Sequence, residues 1–374
     1  MPLPHPPLWM VLIAFICALG PLVFFHELGH YLVARLFKVP AEIFSIGFGR
    51  ELVGWTDKQG TRWKVAWLPL GGYVKFIGDM GPSSAPADTE TIPEELRDRA
   101  FQFRPVWQRF LIVLAGPIAN FILAIAIFTV FFAFFGSPLS NAVASVKSGS
   151  PAQVAGILPG DRIVSIADRS TPTFADIYNV VGLRPNETVP IDYERAGKRV
   201  HVEVRLGSTD FVDPTGQHAN RGMLGVVAST TDPGHPVGLV KAVPMAVEAT
   251  GRLTHAMSDG VVQLVRGAIS PKMIGGPIKI AKLAGANAQF GPLAFVELMA
   301  LLSINLGFIN LLPVPMLDGG HLFFYVIEAV RRRPISAQAL DWAFRGGLAL
   351  ILALLVFATF NDLGLWNQLE RLIG

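Results

Sequence analysis

Four long apolar stretches constrain the fold of this 374-residue chain more than any other feature. They cover roughly residues 8–30, 109–135, 292–312 and 341–360. A helix needs about 20 apolar residues to cross a bilayer, and each stretch is that long. Only 16% of the residues are charged, whereas a soluble domain carries about 25%. The sequence therefore predicts a polytopic α-helical membrane protein with four transmembrane helices.

The distribution of basic residues predicts the orientation of these helices. Lys and Arg are frequent between the first two stretches, and Arg331–Arg333 lie between the last two. Because cytoplasmic loops carry the excess of Lys and Arg, both connections are expected in the cytoplasm. Both termini and the 136–290 region are then extracytoplasmic. No Lys or Arg precedes Arg35, so the positive region of a signal peptide is missing from the first stretch.

Charge and cysteine content exclude several classes of partner and site. The formal net charge of +3 is too small to indicate nucleic-acid binding. Cys17 is the single cysteine, which excludes a disulfide within the chain and a metal site built from cysteines.

The outward region has the pattern of a small folded domain. Between about residues 139 and 207, short alternating segments are separated by turn signals such as LPGD and RPNE. SGSPAQVAGILPGDRIVSI, at 148–166, resembles the PDZ domain of bacterial proteases, an α/β domain in which an extended segment pairs with a strand edge. A β-rich domain of unknown use is the alternative. Residues 208–290 are expected to be an extracytoplasmic linker with an amphipathic helix at 237–268, lying on the membrane surface.

The motif HELGH inside the first apolar stretch predicts a metal site. His26 and His30 are four residues apart and therefore project from one helical face. Two imidazoles so placed can bind zinc, and Glu27 can act as general base. Ionisable groups inside a membrane span are costly and rare without a function, which weighs against histidines buried by accident.

A catalytic zinc usually has three protein ligands, and the third is expected in NLLPVPMLDGGH, residues 310–321. Pro313 and Pro315 forbid a regular helix there. Irregular backbone at membrane depth is tolerated only where protein buries it or water reaches it. Asp318 is the preferred third ligand, and His321 is the alternative. The other histidines, His5, His201, His218, His235 and His255, fall outside the membrane in this topology.

Taken together, four motifs resemble the site-2 protease family. They are HELGH, AGPIANF at 115–121, the PDZ-like segment and SINLGFINLLPVPMLDGGH at 303–321. The nearest group is the bacterial regulator-of-sigma-E type of intramembrane zinc metallopeptidase. The resemblance implies that His26, His30 and Asp318 bind one zinc ion, that Glu27 is catalytic and that Asn310 helps to hold the substrate backbone. Many members have two PDZ domains, whereas this chain has room for one.

A further segment fits the same family. TRWKVAWLPLGGYVKFIG, about 61–78, predicts a cytoplasmic β-hairpin turning at Pro69 to Gly72. In the family such a hairpin dips into the membrane and pairs with an unwound substrate, which implies substrate contacts for Val65, Trp67, Gly71 and Gly72. A hairpin that only anchors the fold at the membrane interface is the alternative.

The predicted organisation is a membrane part at 1–135, the PDZ-like domain, the linker, and a second membrane part at 291–374. The predicted function is zinc-dependent hydrolysis of single-span membrane proteins in the lipid bilayer. These substrates are expected to have been shortened on their outer side beforehand. Anti-sigma factors and remnant signal peptides are the expected substrates by resemblance. A metal transporter and a PDZ scaffold with a structural zinc are the alternatives.

Overall fold

A computed structural model describes residues 6–77, 97–136, 141–212, 218–228, 236–267, 271 and 275–365. The chain divides into two units. One comprises residues 1–124 and 280–357, and the other comprises residues 125–279 and 358–374.

The first unit begins with a long helix and a sheet. Helix α1 spans Leu8–Leu36, strand β1 spans Ala41–Thr56 and strand β2 spans Arg62–Phe76. Helix α2, Val106–Phe135, follows a short 3-10 turn and continues into the second unit. Buried aromatic side chains hold the sheet against α1, because Tyr31 packs edge-on to Phe44, and Phe44 stacks on Trp63 with ring centroids 4.2 Å apart.

The hairpin predicted within 61–78 is wrong. Both of its segments belong to β2, and residues 43–46 of β1 lie between them. Ile46, for example, pairs with Val65 on one side and with Gly72 on the other. The two segments therefore do not pair with each other, and residues 72–76 form an edge of the sheet.

The second unit contains the PDZ-like domain. Its strands are β3 (Val143–Val146), β4 (Arg162–Ile166), β5 (Arg169–Ser170), β6 (Thr188–Arg195), β7 (Lys198–Arg205), β8 (Gly207–Val212), β9 (His218–Met223) and β10 (Val226–Ala228). Its helices are α3 (Pro151–Val154) and α4 (Phe174–Gly182). The main sheet has the order β5-β4-β6-β7. A capping box formed by Thr173 and Asp176 begins α4.

The domain extends past the predicted boundary at residue 207. Strand β10 pairs with β3, β8 pairs with β9, and Leu224 is buried in the same apolar core as Ile163 and Ile191. The boundary was missed because β3 pairs with a strand about 80 residues later, a contact that local alternation cannot reveal. Residues 139–140, 213–217 and 229–235, which also belong to these predicted segments, lie outside the described residues.

Helix α5, Leu239–Val265, corresponds to the predicted amphipathic helix. Ion pairs attach it to the PDZ-like domain. Asp259 lies 2.5 Å from Arg169 and 3.4 Å from Arg184, and Arg252 lies 3.3 Å from Asp176. The predicted linker also contains a second helix, α6, at Pro277–Gln289.

The chain then returns to the first unit with three helices. They are α7 (Pro292–Leu311), α8 (Asp318–Arg331) and α9 (Ala337–Asp362), of which α9 ends in the second unit. Helices α1, α2, α7 and α9 are the four described helices long and apolar enough to cross a membrane. The break between α7 and α8 contains Pro313 and Pro315, as predicted, and Met316 there has a φ of 80°.

Candidate metal centre and active site

Helices α1 and α8 bring three potential metal ligands together. His26 and His30 lie one turn apart on α1 and are both buried, and Asp318 is the first residue of α8. Oδ2 of Asp318 lies 3.1 Å from Nε2 of His26 and 3.5 Å from Nε2 of His30. The two Nε2 atoms are 3.2 Å apart. The break after α7 therefore lets a carboxylate approach two histidines that lie about 290 positions earlier in the sequence.

The donor set fits a zinc ion. Imidazole nitrogen and carboxylate oxygen are both common zinc ligands, and two histidines with one carboxylate form a known catalytic set. One donor atom from each of the three residues lies within 4.8 Å of the others. Asp318 Oδ2 is buried, and its polar neighbours are the two Nε2 atoms, so the three donor atoms are placed to share one cation. On the far side of the His30 ring, Nδ1 donates to the carbonyl of Ile112 at 2.9 Å.

Small residues on α1 and α2 allow this arrangement. A Cβ atom on Gly116 would lie 2.2 Å from Nε2 of His30, and one on Gly29 would lie 2.3 Å from the carbonyl oxygen of Ala115. Both distances are far shorter than van der Waals contact, so neither position accepts a side chain without a shift of the helices or the ring.

A cavity of about 800 Å³ in the first unit opens onto this centre. His26, Glu27, His30 and Asp318 line it together with Asn310 at the end of α7. Gly71 and Gly72 of β2 line it as well. A Cβ on Gly72 would lie 3.1 Å from Cγ of Glu27, and the backbone of Val74 interacts with the Glu27 carboxyl group. The edge of the sheet therefore borders the side chain of Glu27.

Two predicted substrate contacts are not in this place. Val65 and Trp67 do not line the cavity. Val65 pairs with both Ile46 and Val53, so its backbone is already flanked by two strands, and the Trp67 side chain is exposed. The predicted hairpin placed both residues at an edge, whereas the sheet edge that lines the cavity is residues 72–76, and their substrate contacts stay a prediction.

His321, the alternative third ligand, also lines the cavity but does not join the convergent group found among the described residues. Its ring packs against Phe344 with centroids 5.0 Å apart.

Two residues at this site had no role in the sequence-based prediction. Asn120 is fully buried, and its Nδ2 lies 3.0 Å from Nδ1 of His26. Gly116 contacts His30 as described above. Both belong to the AGPIANF motif, so the signal was present, but their contacts depend on how α2 packs against α1.

Comparison with known protein families shows to which family the chain belongs. The model of peptidase family M50, the site-2 protease family, matches residues 14–354. The chain belongs to this family. It is accordingly a zinc metalloprotease with multiple membrane spans. Membership decides against the transporter and the scaffold as alternatives.

Individual relatives agree with the family assignment. One relative is a protein of Agrobacterium fabrum with the provisional name zinc metalloprotease Atu1380. It is 42% identical over 97% of this chain and 96% of its own length. The metalloprotease MmpA of Caulobacter vibrioides is 38% identical over 98% of each chain.

Among solved structures, the PDZ domain of an SdrC-like protein from Listeria innocua covers 26% of this chain and 99% of its own. It has 24% identity and a TM-score of 0.20. The PDZ-like description of residues 141–228 rests on their motif and strand order instead.

Proposed function

We propose that this M50 peptidase cleaves single-span membrane proteins in or near their transmembrane segments. The observation that supports it most strongly is the convergence of His26, His30 and Asp318 beside Glu27 in one cavity. His26, Glu27 and His30 come from the apolar helix α1, where ionisable side chains are rare unless they serve a function. A peptidase with such a site can act on substrates that lie in the bilayer.

In this proposal His26, His30 and Asp318 bind one zinc ion per chain. When bound, zinc supplies Lewis-acid polarisation of the scissile carbonyl and acidifies a water molecule. Glu27 accepts a proton from the attacking water at its carboxylate and then donates it to the leaving amine. Burial of Glu27 and its contact with the backbone of Val74 hold the carboxylate at the cavity wall.

The edge of the β1–β2 sheet is proposed to bind the substrate backbone. A helical span has its peptide groups hydrogen-bonded internally, so cleavage requires an extended segment with new partners. Residues 72–76 of β2 pair with β1 on one side only and border Glu27, so they can add a substrate strand. Gly71 and Gly72 let strand β2 approach Phe48 and Glu27 closely, and Asn310, which lines the same cavity, can hold a substrate peptide group with its amide.

The location and substrates are proposed from the sequence. By its resemblance to the bacterial members of the family, the protein lies in the bacterial inner membrane. The distribution of Lys and Arg then makes both termini and the PDZ-like domain extracytoplasmic. The active site then faces the cytoplasmic side. Anti-sigma factors and remnant signal peptides, already shortened on their outer side, are the proposed substrates, and the PDZ-like domain contacts their outer segments.

Cleavage by the purified protein tests this function. A single-span test protein, co-reconstituted in vesicles, is expected to be cut within its apolar segment. A zinc chelator should stop the reaction, and added zinc should restore it. Cleavage that persists after complete removal of zinc, or cuts only outside the bilayer, would contradict the proposal.

A further inference from the structure

The side chain of Asn120 lies behind one of the proposed zinc ligands. Asn120 belongs to α2, is 0% exposed, and its Nδ2 lies 3.0 Å from Nδ1 of His26. This contact is on the side of the ring opposite to Nε2, which faces Asp318. Among the described residues, Oδ1 of the same amide is buried without a hydrogen-bond partner. A buried polar atom without a partner is unusual and calls for an explanation.

His30 shows what a ligand histidine requires at this position. Its Nδ1 faces the carbonyl oxygen of Ile112 at 2.9 Å, and a carbonyl oxygen can only accept. Nδ1 of His30 therefore carries the proton, which leaves the Nε2 lone pair free for a metal. His26 needs the same tautomer if its Nε2 is also to bind the ion.

The Asn120 amide can impose that tautomer in only one of its two orientations. With Nδ2 toward the ring, a donor faces Nδ1, which favours an unprotonated Nδ1 and a proton on Nε2. A 180° rotation of the amide exchanges Nδ2 and Oδ1 without changing its shape. Oδ1 then accepts from Nδ1–H of His26 and Nε2 is free, while Nδ2 takes the former position of Oδ1.

We propose that Asn120 is a positioning residue that accepts a hydrogen bond from Nδ1–H of His26 and so fixes its metal-binding tautomer. The inference rests on the proposed ligand set. Residues that orient metal-bound histidines in this way commonly contribute about 10- to 100-fold to metal affinity.

Packing holds Asn120 in this place. The backbone carbonyl oxygen of Asn120 accepts a hydrogen bond from the Ser303 hydroxyl of α7 at 2.8 Å, and both residues are fully buried. A Cβ on Gly307 of α7 would lie 3.4 Å from Cβ of Asn120 and 3.0 Å from the carbonyl oxygen of Pro117. Helix α7 thus fixes the backbone of Asn120, and the amide alone is left to interact with His26.

Two substitutions by residues of similar size test whether the Asn120 side chain acts as a hydrogen-bond acceptor or as a donor. Asn120→Asp keeps an acceptor oxygen and loses the donor, whereas Asn120→Leu loses both. The dissociation constant for zinc is measured by chelator competition on the full-length protein in detergent, and the visible spectrum of the Co²⁺ form reports the ligand geometry. Ser303→Ala is the matched control, because it removes a buried hydrogen bond next to the amide while the close contact of Gly307 with Asn120 still holds the backbone.

The expected result is zinc binding weakened about 10- to 100-fold in Asn120→Leu, with an altered Co²⁺ spectrum. Asn120→Asp and Ser303→Ala should bind zinc much as the wild-type protein does. If Asn120→Leu does not fold, Asn120→Ala takes its place. Equal weakening in the Asp and Leu variants would contradict the proposal and indicate a donor role, and unchanged binding in both would contradict it as well.

His26→Ala in the same assay separates this inference from the proposed ligand set. If His26→Ala loses zinc while Asn120→Leu binds it normally, only the role of Asn120 is wrong. If His26→Ala binds zinc as tightly as the wild-type protein, the ligand set itself is wrong.

Discussion

Glu27 follows His26 in the chain and lines the same cavity, yet it lies outside the group of three side chains whose donor atoms converge. Glu27→Gln should therefore retain zinc, since all three proposed ligands remain, and should lower cleavage by at least about 100-fold because the proton acceptor is lost. Elemental analysis and a cleavage assay of the same preparation measure both effects. Glu203→Gln, exposed on β7 of the PDZ-like domain, is the control. Loss of zinc from Glu27→Gln would assign Glu27 a ligand role.

Gly116 controls the position of a ligand through its lack of a side chain. Gly116→Ala would place a methyl group 2.2 Å from Nε2 of His30, so either the ring or α2 must move. Alanine favours helix over glycine, so a loss of zinc affinity could not come from a weaker helix. Chelator competition should show weaker zinc binding in this variant. Gly20→Ala in α1, where a Cβ would meet nothing within 4 Å, should bind zinc normally, and normal binding in both variants would refute the steric role.

Single residues were predictable where spacing alone decides the geometry. His26, Glu27 and His30 follow from one helical turn, and Asp318, with His321 as the alternative, from the proline-broken segment NLLPVPMLDGGH. Asn120 and Gly116 were not predictable, because their contacts with the histidines depend on the rotation and distance of α2 relative to α1. The HELGH pattern contains no information about that packing.

At the scale of elements, pairing partners separated widely in sequence explain the errors. Alternation in residues 61–78 correctly indicated β structure, but residues 43–46 of β1 lie between the two predicted partners. The PDZ-like domain was likewise predicted too short, because β10 returns to pair with β3. The prediction of the four membrane helices depends only on local composition. These helices begin and end within a few residues of the predicted limits, except at the end of α1.

Asp192, on β6, is expected to make an acid-sensitive contribution to the stability of the PDZ-like domain. Hydrogen bonds from His201, and also from Ser165 and Arg199, lower the pKa of Asp192 from 3.8 to about 2. Since the folded-state pKa is the lower one, the stabilisation is fully present above about pH 4 and is lost as the pH falls toward 2.

Asp192→Asn should lower the free energy of unfolding of the PDZ-like domain by about 1 kcal/mol at pH 7, a value reduced for partial exposure. The difference from the wild-type protein should shrink on acidification below about pH 4. Hydrogen exchange in the full-length protein, corrected for intrinsic rates, measures it. Asp168→Asn serves as a control for charge removal in the same domain. A difference that grows toward acidic pH would contradict the assignment.

At the scale of the whole molecule, the PDZ-like domain is expected to act before chemistry. The predicted topology places it outside the membrane and the catalytic motifs toward the cytoplasm. A bulky outer segment of a substrate should collide with it, whereas a trimmed stub should pass or dock. Removal of the domain should therefore leave zinc binding and cleavage of short substrates intact, and allow longer substrates to be cut.

The structure defines the deletion that tests this size filter. It should remove residues 141–228, because removal of 139–207 would leave β8–β10 without β3 and the rest of the apolar core. One transmembrane segment carrying a long or a short outer part is compared for the full-length and deleted enzymes. Loss of cleavage for both substrates would mean that the domain is needed for folding or productive binding, and the filter would be refuted.

Zinc content of the purified wild-type, Asp318→Ala and His321→Ala proteins tests the proposed metal centre most directly. One zinc ion per chain is expected in the wild-type protein and in His321→Ala, since His321 packs on Phe344 outside the convergent group. Asp318→Ala should hold far less zinc, because one of its three ligands is gone. Zinc retained in Asp318→Ala and lost from His321→Ala would contradict the ligand set and indicate a site of three histidines.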